Sequence, residues 1–243
     1  MGTSRSRRKK ARRPPRKRSP KLRRLVRAMK LAAPWVMVVR WGDLGHCVEM
    51  SHAGVALLRK HRIRATVLLC AVIAQTTDHG KGIVAGHTLR TLYDFYSQTK
   101  DMEPFDEWAK TQDATLQDGT LGQDYPFHLI IEAKDQQDRA LLDLTAGQLR
   151  QATGGAIKMP AAVSAFNGSQ WPSFELDGAV VKYMACPYPE RVDPQHLRFP
   201  PTIAGVVGDL DYLTGLALKS PDAETFNRLM EANAHRAQET LEV

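Results

Sequence analysis

The sequence predicts an α+β fold on three observations. An amphipathic segment with a defined start runs from Cys47 to Lys60, strand-like runs follow it, and the chain closes on a second amphipathic segment after Ser220–Pro221. Helices, then mostly antiparallel strands, then a helix is the element order of that class. With 243 residues, 43% hydrophobic and 25% charged, the chain has the size and composition to bury a proper core.

The elements read as follows. Residues 1–24, "MGTSRSRRKKARRPPRKRSPKLRR", are poor in apolar residues and dense in like charge, which predicts disorder. A short basic helix is expected from Lys21 to Leu31. Cys47–Lys60 offers Val48, Ala53, Val55, Ala56, Leu57 and Leu58 as an apolar face. "IRATVLLCAVIA" (Ile63–Ala74) is β-branched and nearly continuous, the pattern of a buried strand. Gly80–Gly86 reads as a loop. "TLRTLYDFYSQTKD" and "PFDEWAKTQ" read as helices, the second with Pro104 at its start. The runs "FHLIIEA" (Phe127–Ala133) and "ALLDLT" (Ala140–Thr145) flank the turn-forming "KDQQDR", as in a hairpin. "FNGSQWPSFELDG" (Phe166–Gly178) is rich in turn formers and reads as a wall or lid over a cleft. "AVVKYMACP" (Ala179–Pro187) is a further strand, and the last segment is a helix capped by Ser220–Pro221.

Charge divides the chain in two. Residues 1–30 carry fifteen Lys or Arg and no acid, which leaves 19 bases against 26 acids, a net of −7, for the rest. The domain reading is therefore a disordered basic arm over 1–30 and a single catalytic domain over 31–243 that ends in a helical extension. Arg7, Arg8, Lys9, Lys10, Arg12 and Arg13 are the candidate contacts to nucleic acid or another anionic surface. No aromatic residue in the arm can stack on a base, so no sequence readout is expected.

Other classes fall away. Three cysteines, Cys47, Cys70 and Cys186, are too few and odd in number for a disulfide framework. No CxxC pair or Cys/His cluster signals a metal, and no cofactor is expected. A reducing, cytoplasmic setting follows, or a nuclear one in a eukaryotic host. No run of eighteen apolar residues predicts a membrane span. "LAAPWVMVV" (Leu31–Val39) is too short, broken by Pro34 and without a cleavage site, so a secretory signal is not expected.

Three residues carry chemistry. A nucleophilic cysteine needs its thiolate favoured, as at a helix N-terminus, an imidazole to take and return the proton, and a group to orient that imidazole. Cys47 opens the first clear helix. His128 and Asp143 lie on the two strands of the hairpin, roughly opposite each other and on one face if the turn is centred near Gln136. An acid in "LLDLT" is costly unless paired, and a histidine on an apolar strand needs a partner. Pairing accounts for both.

The stretches "GHCVEMSHAGVALLRKHRIRA", "FHLIIEA" and "LLDLTAGQ" resemble the transglutaminase-like branch of the papain-like fold. That family has a Cys with a small or hydroxyl residue one turn later, a strand bearing His, and an "LDxT"-type strand end. The resemblance spans residues 42–148. It implies a papain-like core in which the nucleophile helix packs on an antiparallel sheet. It also implies Cys47 as nucleophile, His128 as general base and acid, and Asp143 as the orienting group. For the oxyanion, the backbone N–H of Cys47 is the default donor. Trp41 offers its indole N–H as a second donor or anchors the loop as a partly buried aromatic, and His46 reads as a residue lining the cleft.

The remaining candidates read as structure. Cys70 and Cys186 are expected to be apolar core residues. His52, His61, His79, His87, His196 and His235 are expected at the surface or in structural roles, and Tyr93–Trp108 to supply core aromatics. The functional expectation is a cysteine-dependent acyl-transfer enzyme acting on a protein or peptide amide through a thioester: a peptidase, amidase or glutamine deamidase, or a transglutaminase. Hydrolysis fits a compact, acidic body better than crosslinking. The alternative is a non-enzymatic nucleic-acid-associated protein with a basic arm and an inactive papain-like body.

Overall fold

A computed structural model describes residues 19–41, 46–76, 82–85, 128–136, 138–149, 162–166, 171–176, 178–185, 198, 200 and 203–241. These residues form an α+β structure. Helices α1 (Pro20–Trp41) and α2 (Cys47–Lys60) precede strands β1 (Arg64–Thr76), β2 (Gly82–Ala85), β3 (His128–Asp135) and β4 (Asp138–Asp143). A 3₁₀ turn (Ala146–Gln148) and strands β5 (Val163–Phe166), β6 (Ser173–Leu176) and β7 (Ala179–Ala185) come next. Helices α3 (Ile203–Lys219) and α4 (Ala223–Leu241) end the chain.

The sheet is antiparallel and seven-stranded, in the order β5-β4-β3-β1-β7-β6 with β2 also on β1. Strand β1 is its spine. Arg64–Cys70 pairs with β3, Val72–Gln75 with β2, and Cys70–Thr76 with β7. Alternation gives the sheet two faces. Ala65, Val67, Ile131, Ala133, Ala140 and Leu142 pack under the helices. Cys70, Val72, Ile130, Leu141, Val181 and Tyr183 make a second apolar cluster on the opposite face.

The helical layer differs from expectation at both ends. The arm does not extend to residue 30: α1 starts at Pro20, and Leu22, Leu25, Val26, Met29, Ala32, Ala33, Val36 and Met37 bury one stripe at helical spacing. The bases at 21, 23, 24, 27 and 30 lie between these apolar positions, so a high charge count conceals an amphipathic helix. Its N-cap is Ser19, whose Oγ accepts from Leu22 N–H (3.3 Å) and donates to Asp135 Oδ2 (2.5 Å). Ser19 N–H donates to Asp138 Oδ2 (2.7 Å), so the cap also ties α1 to the β3–β4 turn. Leu31–Val39 lies inside this helix, and among the described residues no helix is long and apolar enough to cross a membrane.

The C-terminal extension is two helices. In α3 the buried positions Val206, Leu210, Leu213, Thr214 and Ala217 face α1 and α2. The cap of α4 is Asp222 and not Ser220–Pro221. Asp222 Oδ1 accepts from Thr225 N–H at 2.7 Å, while Ser220 Oγ donates back to the Leu216 carbonyl of α3 at 3.0 Å. Ion pairs Arg40–Asp209 and Lys60–Asp211, both 2.6 Å, brace α3 against α1 and α2. Being exposed, they contribute little to stability.

Two further readings change. Gly82–Ala85, inside the expected loop, is β2, paired antiparallel with β1. Ser173–Leu176, inside the expected wall, is β6. It pairs with β7 through a two-residue turn that places Gly178 at φ +95°, a conformation suited to glycine.

Helix α2 approaches the sheet closely at Gly54. A Cβ there would collide with Ile131 Cδ1 and lie 2.9 Å from Leu144 Cδ1 and 3.3 Å from Met29 Cε. All three side chains are fully buried, so little space can open. Gly54→Leu should lower stability by about 3 kcal/mol through overpacking, read as a reduced urea midpoint.

Candidate functional site

The site is assembled where α2 begins and β3 begins. Helix α2 starts at Cys47, as its pattern predicts, after N-cap His46, whose carbonyl accepts from Met50 N–H at 3.0 Å. Two contacts dock this end on the sheet. Val48 packs with Leu129 and Leu69, and Ser51 Oγ donates to the Leu129 carbonyl at 2.9 Å. That contact places Cys47, which is partly exposed, beside the first residue of β3, His128.

His128 and Asp143 share the sheet face opposite the helices. The turn holds Gln136 at φ +54° and pairs Asp135 with Asp138, so the register runs through Ile131↔Leu142. Continuing it sets Asp143 across from Ile130. His128 is therefore diagonal to Asp143 rather than directly opposite. Diagonal neighbours on one face remain within reach of a long side chain. The ring Nε2 donates to Asp143 Oδ2 at 2.9 Å.

Asp143 is 2% exposed and all of its acceptor capacity is directed. Oδ1 accepts from Thr145 N–H (2.7 Å) and Thr145 Oγ1–H (2.9 Å). Oδ2 accepts from Tyr183 O–H (2.5 Å) as well as from His128. Four donors compensate the desolvation of the carboxylate.

The electrostatics follow from this packing. Burial opposes a charge on His128. The Asp143 carboxylate, its hydrogen bond, and the hydrogen bond and charge of the Cys47 sulfur outweigh burial and raise the ring from 6.5 to about 10. Burial pushes Asp143 up, but His128, Tyr183 and Thr145 together bring it below the ordinary carboxylate value. Burial and the neighbouring Asp143 carboxylate drive Tyr183 well above the ordinary phenol value, so its hydroxyl keeps its proton and donates. The Cys47 side chain is a hydrogen-bond partner of the ring, and with Nε2 committed to Asp143 the thiol is left to Nδ1. The arrangement can move a proton between sulfur and ring while the carboxylate holds the ring fixed.

Trp41 and His46 flank this centre. Their rings stack at 3.9 Å with an 18° interplanar angle, and His46 Nδ1 lies 3.8 Å from Glu49 Oε2. Trp41 also packs on the helical core, which is its anchoring reading. His52 is buried within α2, and His61 caps α2, its carbonyl accepting from Lys21 Nζ at 2.5 Å. Cys70 lies sealed in the second apolar cluster. Arg7, Arg8, Lys9, Lys10, Arg12, Arg13, His79, His87, His196, Cys186 and the Tyr93–Trp108 string lie outside the described residues, as does the side chain of His235.

Tyr183 and Thr145 are site residues that the sequence reading did not single out. Thr145 had a usable signal, a hydroxyl two residues after an acid, the spacing of an Asx-type turn. Tyr183 had only its place in an alternating strand.

Comparison with family models, curated proteins and solved structures returns no match.

Proposed function

We propose that this chain is a cysteine-dependent acyl-transfer enzyme acting on an amide, with Cys47 as nucleophile, His128 as general base and acid, and Asp143 as the group that orients the ring. One observation carries the proposal: a single buried imidazole is bonded to a carboxylate on one side and to a partly exposed thiol at a helix N-terminus on the other. The resemblance to transglutaminase-like papain folds supports the same assignment.

The steps follow from the geometry. With its value raised to about 10, the His128 ring already holds the proton as an imidazolium stabilised by Asp143, and sulfur attacks the amide carbonyl as the thiolate paired with Nδ1–H. The first N–H groups of α2 have no intrahelical partner, so the Cys47 N–H is placed to bind the oxyanion. His128 returns the proton to the leaving amine, which departs and leaves a thioester on Cys47. His128 then activates an acceptor: water for hydrolysis, an amine for transfer. A protein or peptide amide is the substrate class, and hydrolysis the favoured outcome.

The test is alkylation of the full chain by iodoacetamide near pH 6, followed by peptide mapping. Cys47 should react roughly tenfold or more faster than glutathione, and His128→Ala should remove that advantage. Cys47 reacting no faster than glutathione would sink the proposal.

One observation favours a second role beside catalysis. Lys21, Arg24 and Arg27 are exposed on α1 at helical spacing and continue the basic sequence that precedes them. We propose that this strip and the arm bind a polyanion such as nucleic acid. Affinity that does not fall with salt would exclude it.

A further inference from the structure

We infer that Tyr183 is a positioning residue of this site: its hydroxyl holds Asp143 Oδ2 in line with His128 Nε2. The kinetic part rests on the acyl-transfer reading, and the geometric part stands without it.

Strand β7 is separated from β4 by β1 and β3. Three strand spacings are about 14 Å in a flat sheet. Tyr183 O–H nevertheless reaches Asp143 Oδ2 at 2.5 Å, which requires this face to be concave. The face is the one that carries His128, since Tyr183 pairs with Val72 and His128 with Cys70, two residues apart on β1. The phenol is thus a strut across the hollow in which the imidazole lies, its ring 6.2 Å from that of His128.

The strut is itself held. Phe174 of β6 meets the Tyr183 ring edge-on at 5.9 Å and 84°, and Tyr183 N–H donates to the Pro172 carbonyl at 3.0 Å. The far end of the carboxylate is fixed by the two Thr145 donors, so among the described residues Tyr183 and His128 share Oδ2. A tyrosine in a purely structural role needs any acceptor. This one is directed at the carboxylate that carries the imidazole, and it is fully buried, so water does not readily replace it.

Tyr183→Phe deletes one oxygen and keeps the ring packing. In the full chain, the His128 Nε2–H proton signal should move upfield and exchange faster with solvent, because Asp143 loses its lateral tether. Alkylation of Cys47 by iodoacetamide near pH 6 should fall roughly tenfold, with the melting temperature close to that of the unsubstituted chain. Should Tyr183→Phe fail to fold, 3-fluorotyrosine at position 183 keeps shape and hydroxyl while changing donor strength, and must also shift the Nε2–H signal. An Nε2–H signal that does not move in the folded variant overturns the inference. So does an unchanged alkylation rate in a protein whose unsubstituted Cys47 is fast. If the unsubstituted Cys47 is no faster than glutathione, the acyl-transfer reading fails, and the Nε2–H signal alone still decides the role of Tyr183.

Discussion

Cys47→Ala should abolish acyl-enzyme formation. The measurement is mass spectrometry after exposure to an activated acyl ester, p-nitrophenyl acetate, with the adduct mapped to the peptide that carries position 47. Among the described residues the other cysteine, Cys70, is sealed inside the sheet with no exposed surface. His128→Ala should retain the thiol but slow acylation by about 10²–10⁴-fold, the usual contribution of a positioned general base. The two losses should not add. Once the sulfur is gone the imidazole has nothing to activate, so Cys47→Ala and the double variant should behave alike. Additive losses would mean that the two groups act independently, and full acylation of Cys47→Ala would show that the nucleophile lies elsewhere. Ser51, which fixes α2 to β3 through the Leu129 carbonyl, is a control for placement. Its loss would displace the sulfur without removing it.

The parts of the site that could be read from sequence are those set by local periodicity. The start of α2 at Cys47 was legible because an apolar face begins there and runs without interruption to Lys60. The common face of His128 and Asp143 was legible for a different reason. The hairpin register differs from the expected one by an even step, which leaves every side chain on the face assigned to it. An odd step would have put the two groups on opposite sides of the sheet.

What was illegible depends on long-range topology or on mixed signals. Tyr183 meets Asp143 only because β7 pairs with β1, a neighbourhood that no window of sequence contains. Helix α1 was expected only over Lys21–Leu31 and was counted in part as arm because its bases dominate the composition, although Ser19–Pro20 is a Ser–Pro start like that at Ser220–Pro221. Of the two, only Ser19 caps a helix. The stripe at 206, 210, 213, 214 and 217 and the Asp–Gly dipeptide at 177–178 were local signals in plain view. They mark α3 and the β6–β7 hairpin, the parts of the C-terminal third that cover the helical core and hold the Tyr183 strut.

Asp143 should be the position where chemistry and stability are least separable. Asp143→Ala should cost about 3–5 kcal/mol, because it leaves a fully buried imidazole without its counter-charge and strands the Thr145 and Tyr183 donors. Asp143→Asn should cost less, since an amide keeps the volume and one acceptor oxygen. The pH dependence has a definite sign. The Asp143 value is lowered in the folded chain, so its contribution is present above the ordinary carboxylate value of 3.8 and is lost as pH falls below it. The His128 value is raised from 6.5 to about 10, so its contribution is complete below 6.5 and is lost as pH rises toward about 10. Both shifts express one ion pair, whose stabilisation is greatest between these limits, in mildly acidic solution. Urea unfolding followed by circular dichroism should therefore show the midpoint falling from mildly acidic to alkaline pH. His128→Gln should flatten that decline. If the slope survives His128→Gln unchanged, the ring is not the group that titrates, and the charged pairing at the centre of this site is wrong.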